Sequence, residues 1–332
     1  MTPASPHRLG AIRKKQTLQT LTPHAKQPRT TRTKRRLGDV VFENLSRSAA
    51  LVILVALAGV AIFLTAEGLP GLTAESSDLG GKANFVAYVW PLVFGTLLAA
   101  FLALVIATPL AIGMALVISH YAPRRIAGVL GYVIDLLAAV PSVVYGLWGI
   151  GFLGVFVKDF YAWLAEHLGF IPFFAGPATT GRTILTASLV LALMVIPIVT
   201  AICREIFTQT PALHQEAALA LGATRWEMIR LTVFPFARSG MVSAVMLGLG
   251  RALGETMAVA MVLSATGVIT FNLISATNPS TIAANIALKF PEASGLTVNA
   301  LIASGLVLFV ITFVVNFAAR AVLARSQKGL DR

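Results

Sequence analysis

The sequence predicts an all-α integral membrane protein with six transmembrane helices, and three observations carry that reading. Of its 332 residues, 57% are hydrophobic, and the mean hydropathy is +0.81. Only 12% are charged, against the ~25% usual in soluble chains. Several apolar runs reach the ~20 residues that a helix needs to cross ~30 Å of hydrocarbon.

Residues 1–48 are rich in Lys, Arg, Thr, Pro and Gln, lack apolar periodicity, and hold 11 of the 26 Lys and Arg. Such a segment buries too little apolar surface to offset its ordering entropy. It is expected to be a basic cytoplasmic tail, disordered at least to about Arg36. It is too long for the first part of a signal peptide, and no small-residue cleavage site follows the first apolar run. Residues 49–66 therefore read as an uncleaved first span. The net charge of +12 fits membrane orientation and anionic lipid rather than nucleic acid.

A Gly-rich loop, 67–89, leads to a second span at 90–119, whose excess length is taken up by tilt or by a kink at Pro109. The third apolar stretch, 128–157, holds Asp135 and is interrupted by Pro141. It is one long broken helix or two short crossings. One crossing keeps the Arg-bearing 204–238 loop inside, as the positive-inside rule prefers. Asp135 suits an interhelical salt bridge or an interfacial position better than a substrate role. An outer loop at 158–182 precedes a fourth span at 183–206, kinked at Pro197. A fifth span follows at 238–265, then an outer loop at 266–298, a sixth span at 299–320 and a basic end with Arg320, Arg325, Lys328 and Arg332. With both termini cytoplasmic, 21 Lys and Arg lie inside, four outside and Arg251 within the membrane, while acidic residues divide evenly. The asymmetry rests on positive charge alone.

Several motifs are excluded by context. Gly149-Ile150-Gly151-Phe152-Leu153-Gly154 matches a dinucleotide fingerprint but lacks the βαβ setting that the motif requires, so these read as helix-packing glycines. There is no P-loop, no HExxH and no Ser/His/Asp order. Cys203 is the only cysteine, and the five histidines are scattered without ligand spacing. The expectation is a chain without catalytic residues, metal site or cofactor of its own.

Two features demand explanation. Between spans four and five, Leu213, Ala217, Ala220 and Leu221 form a small apolar face edged by Glu216 and Arg225. Gly222 stands where such a helix would end, and Pro235 marks the next span. By pattern alone this is an amphipathic interfacial helix or a helix that docks in a partner's groove. In the fifth span, Arg251 lies roughly 20 Å into the helix at ~1.5 Å per residue, with Glu255 one turn on. Each such charge costs roughly 2.5–3.5 kcal/mol at a membrane helix centre. At i,i+4 the two are expected to pair, either as a structural ion pair or as part of a substrate path. The guanidinium suits an oxyanion, and Thr256 adds a hydroxyl beside it. Gly250 and Gly254 form GxxxG, which lets another helix approach. Pro141 is expected to break its helix near the same path, or to serve packing alone, with Ser142 and Tyr145 offering hydroxyls.

The residues Glu216, Ala217, Ala218, Gly222 and Pro235, spaced as EAA, three residues, Gly, nine residues and a final Pro, resemble the EAA loop of ABC-importer permeases. Thr232 and Phe234 stand where that pattern has Ile and Leu. GLGRALGETMAV at 248–259 and LLAAVPSVVYGLWG at 136–149 resemble the PstC-type subunit of phosphate-specific ABC permeases. The resemblance covers most of residues 86–320.

It implies a type I importer architecture with a cytoplasmic coupling helix at Glu216–Gly222, and a phosphate path through Arg251, Glu255, Thr256, Ser142 and Tyr145. It also implies a similar second permease (PstA-type), two copies of an ATPase subunit (PstB-type) carrying ATP and Mg, and an extracytoplasmic phosphate-binding protein (PstS-type). The rivals are a permease for molybdate or sulfate, an ion-coupled secondary carrier titrating Glu255 or Asp135, and a structural anchor.

Overall fold

The computed structural model describes residues 37–175 and 180–328. The expected disorder up to Arg36, and Arg332 at the basic end, lie outside the described residues. Twelve helices are present among the described residues: α1 Leu37–Gly68, α2 Phe85–Leu116, α3 Arg124–Ala139, α4 Ser142–Trp148, α5 Gly154–Leu168, α6 Ile184–Thr208, α7 Ala212–Ala220, α8 Arg225–Met228, α9 Phe234–Gly254, α10 Met257–Val262, α11 Ile282–Lys289 and α12 Leu296–Lys328. Residues up to Val55 and residues from Ala56 onward form separate units.

Six helical stretches are long and apolar enough to cross a membrane: Val40–Thr73, Phe85–Tyr121, Ser142–Leu168, Ile184–Thr208, Arg225–Gly254 and Leu296–Ala321. The count matches the six spans read from sequence, while several bounds move for local reasons. Residues 37–48, placed in the tail by composition, are helical. Val40, Val41, Phe42 and Leu45 supply an apolar run there, and Arg47 pairs with Glu43 one turn away at 2.6 Å.

The stretch 128–157 is not one helix. Val140 and Pro141 are extended, with ψ of 130° and 140°, because proline pushes the residue before it out of the helical region. The long apolar candidate therefore begins at Ser142 rather than 128.

The fifth span, placed at 238–265, starts earlier and stops earlier. A π-helical turn at Ile229–Val233 joins α8 to α9, so the chain stays helical past Pro235. The proline's missing N–H falls where the regular hydrogen-bond ladder is already interrupted. At Glu255 the backbone turns extended, with ψ of 127°, and α10 begins two residues later.

The second unit is centred on α2 and α6. Ala99, Ala103, Ala107, Ala111 and Ala115 recur every fourth residue on one face of α2, and each is 0–1% exposed. That stripe lets the α6 backbone come close, near enough for the Thr200 hydroxyl to donate to the Ala111 carbonyl at 3.3 Å. Gly248 brings α9 against Val195, Val199 and Leu104. α2 and α6 run in the same direction. Asn84 caps α2 at one end of the unit, where Asn278 also meets the start of α6, and α7 follows the other end of α6.

The loop between α10 and α12 is pinned by the buried Asn278. Its side chain accepts from the Ile184 N–H and donates to the Arg182 and Ser275 carbonyls. The Asp135 expectation also resolves geometrically. Arg204 of α6 pairs with Asp135 of α3 at 3.5 Å, its guanidinium lying over Gly131, where a side chain would collide with it.

Candidate functional site

Two helix breaks lie side by side. α3 ends before Pro141, α9 ends before Glu255, and the two short helices that restart, α4 and α10, pack in parallel. Gly146 faces Ala258 and Met261, and Gly149 faces Val262 and Val190. In both places a missing side chain is what lets the helices touch. Of the glycine motif set aside above, Gly149 and Gly154 are tightly packed, whereas Gly151 faces open space.

The break collects the predicted path residues unevenly. The Tyr145 hydroxyl donates to the Leu137 carbonyl at 3.0 Å, across the Pro141 interruption, sharing that acceptor with the Val140 N–H. It also lies within electrostatic reach of Arg251. Arg251 sits in the last turn of α9, half-buried, and its Nε–H is fully enclosed with no hydrogen-bond partner among the described residues. Thr256 is half-buried, its hydroxyl donating to the Gly254 carbonyl at 3.1 Å. Ser142, half-buried, begins α4.

The expected Arg251–Glu255 pair is not formed among the described ion pairs. Helical i,i+4 spacing presumes that the helix continues, and it ends between them. The Glu255 carboxylate, 9% exposed, instead accepts from the Ala258 N–H at 3.2 Å, which caps α10. At the far end of α10, Arg182 donates to the Met261 carbonyl at 3.3 Å. An anion at the start and a cation at the end both suit the helix dipole. Arg182 was invisible as a partner in the sequence, since nothing local links it to α10.

Gly250 and Gly254 were expected to admit a neighbouring helix. A side chain built at either would meet nothing within 4 Å, so no helix among the described residues packs on them.

At the opposite end of the unit from Asn84 lies α7. Leu213 and Leu221 are 77% and 90% exposed, and Glu216, Ala217 and Ala220 are exposed with them. Ala218 turns inward against the core. Gly222 ends the helix at φ +88°, a conformation in which other residues are strained. The Ala223 N–H returns to the Ala218 carbonyl at 3.2 Å and the Gly222 N–H to Leu219 at 3.0 Å, a helix end of the glycine-terminated kind. Thr224 then caps α8 in a reciprocal box with Glu227. Met228 and Ile229 enter the core, and Trp226 meets Phe234 edge-on at 6.1 Å. The polar loop is thus a rigid bracket that shows an apolar face to the outside and is fixed to α9 at its base.

Residues 107–328 match the family model of binding-protein-dependent transport system inner membrane components. The chain is 43% identical over 307 residues to a Mycobacterium tuberculosis protein described as phosphate transport system permease protein PstC 2, covering 89% of this chain and 94% of that one. It is 38% identical to the PstC of Mesorhizobium japonicum, over 87% and 91% of the two chains. It is 37% identical to that of Pasteurella multocida, over 91% and 97%. A solved structure of the MetNI methionine ABC transporter in inward-facing conformations aligns with a TM-score of 0.49 at 15% identity, covering 71% of this chain and 93% of that one. With six membrane-length helices, the EAA bracket and relatives of this similarity over nearly its whole length, the chain belongs to the inner membrane components of binding-protein-dependent transport systems, among the PstC-type permeases.

Proposed function

We propose that this chain is a membrane permease subunit of an ATP-driven importer of inorganic phosphate, and that phosphate passes the paired helix breaks beside Arg251. The observation that carries this reading is the enclosed Arg251 Nε–H with no hydrogen-bond partner among the described residues. A buried charged donor left unsatisfied is costly. A path that presents this donor to a passing oxyanion gives that cost a purpose. The guanidinium offers a permanent charge and a planar fork of donors matched to phosphate oxygens. Tyr145, within electrostatic reach of Arg251, and Ser142 and Thr256 at the same two breaks offer hydroxyls that donate or accept as the cargo moves. Glu255, fixed as the cap of α10, places a negative charge near the path and limits how tightly an anion is held.

The α7 bracket is the handle of a separate ATPase subunit, two copies of which bind ATP and Mg. A second permease of similar build covers the open face at Gly250 and Gly254, and an extracytoplasmic phosphate-binding protein delivers cargo to the loops at the other end. Both termini face the cytoplasm, as the distribution of Lys and Arg requires. Closure of the ATPases displaces α7. The stiff α8–π–α9 segment carries that displacement to Arg251, exposing it to alternate sides.

The test is Arg251→Gln in the assembled transporter. Loss of one charge-assisted interaction of roughly 1.5–3 kcal/mol predicts a fall in phosphate uptake of about tenfold or more, with the complex still assembled. Uptake close to wild type would overturn the assignment of Arg251 to the path.

A further inference from the structure

A second polar cavity lies at the Asn84 end of the unit, outside the path just described. It encloses about 280 Å³ and is lined by Lys82, Tyr88, Ser280, Asn285 and Lys289 among others. That volume is near the small end of ligand pockets, which begin around 300 Å³.

Both walls are firmly built. Lys82 leaves a tight turn in which Gly80 and Gly81 take φ of +61° and +83°. Leu79, 1% exposed, anchors that turn, and the Thr297 hydroxyl donates to the Asp78 carbonyl at 3.3 Å. The facing wall is α11, capped by Thr281 and tied to α2 by the Thr96 hydroxyl, which accepts from the Ile282 N–H at 2.9 Å. Asn285 donates to the Tyr88 hydroxyl at 2.6 Å. The Tyr88 proton is then left to donate elsewhere.

Two cations thus border one cavity, and neither is in an ion pair among the described residues. Lys289 stands 5.0 Å from the centre of the Tyr88 ring, a cation–π contact that accounts for its direction but not for the presence of Lys82. Lys289 is exposed as a residue, but desolvation of its ammonium against the cavity wall, followed by the charge of Lys82, lowers its pKa. No carboxylate of the described residues forms an ion pair with it. The arrangement carries a cost that a bound anion would reverse.

We infer that this cavity is an outer reception site for a phosphoryl oxyanion, held by the ammonium groups of Lys82 and Lys289 and by the Tyr88 hydroxyl. This inference rests on the phosphate reading above. The loop that follows α10 supplies Ala265 and Thr266 to the cavity, and α10 begins at the Arg251 break. Six helical residues at ~1.5 Å and a few extended ones at ~3.3 Å put the two places within roughly 20 Å of each other. An anion released at the outer face is captured here and handed inward along α10.

The depressed pKa makes Lys289 a measurable reporter, because its free amine reacts with acylating reagents. The experiment follows acylation of Lys289 by mass spectrometry in the intact transporter complex in detergent, without binding protein. Inorganic phosphate is compared with nitrate at equal ionic strength, and with phosphatidylglycerol alone. Phosphate bound against the ammonium should raise its pKa again, and each unit gained cuts the free amine about tenfold. The expected result is therefore a slowing of about tenfold by inorganic phosphate, little by nitrate, and loss of the protection in Lys82→Gln.

Acylation indifferent to inorganic phosphate would overturn the inference, as would protection by the lipid only. So would protection by inorganic phosphate that survives undiminished in Lys82→Gln. Phosphate uptake by the unmodified complex is measured in parallel. If uptake is present and protection absent, the reception site fails alone. If uptake is absent, the phosphate reading itself fails.

Discussion

At Glu255 one carboxylate has two duties that substitution can separate. It caps α10 through the Ala258 N–H, and under the proposed function it bears a charge beside the anion's path. Glutamine keeps an oxygen able to accept from Ala258 but removes the charge, whereas alanine removes both. Loss of a helix cap costs about 0.5–2 kcal/mol. Glu255→Ala should therefore lower the thermal midpoint of the purified complex, Glu255→Gln should leave it nearly unchanged, and both should alter phosphate transport. Equal melting of the two variants would remove the capping role.

The same residue marks where sequence reading stopped. Arg251 and Glu255 were recognised as costly and placed together, yet their i,i+4 spacing suggested a pair because no proline announces the end of α9. Gly254 followed by Glu-Thr was the available signal, a glycine at a helix end and an acceptor three residues before Ala258. Pro141, by contrast, was legible because proline acts on its neighbour's backbone wherever it stands.

Among the elements, α7 was the most legible, since its glycine end and apolar spacing are local features. The inward turn of Ala218 was not, because it depends on packing against the rest of the unit. Gly222 offers a clean perturbation. Nothing among the described residues lies within 4 Å of a side chain added there, and φ is +88°. A substitution costs roughly 1–2 kcal/mol of backbone strain without an internal clash. Gly222→Val should leave the permease folded but weaken co-purification of the ATPase and transport together. Undiminished co-purification and transport would place the ATPase contact elsewhere. The alanine stripe of α2 stood in the sequence at four-residue spacing, but hydropathy does not separate a packing face from a lipid face when both are apolar. Only the closeness of α6 shows which face is which.

Across the whole molecule, the number of spans follows from the length and apolarity of its runs. Their bounds follow from interactions that composition does not carry: the Glu43–Arg47 pair, the π turn before Pro235 and the break at Glu255. The two ends of the second unit then divide the work. α7 presents an apolar handle at one end, and Lys82 and Lys289 border a polar cavity at the other. Arg251 stands at the helix breaks along the chain between them.

Under the proposed function, binding of one oxyanion outside is coupled through this chain to ATP hydrolysis inside. The most direct test is ATPase activity of the transporter reconstituted in liposomes with its binding protein, with phosphate, sulfate or molybdate supplied in turn. Phosphate should stimulate hydrolysis, with sulfate and molybdate giving little, and Arg251→Gln should blunt the response. Stimulation by sulfate or molybdate in preference to phosphate, or hydrolysis indifferent to every oxyanion, would contradict it.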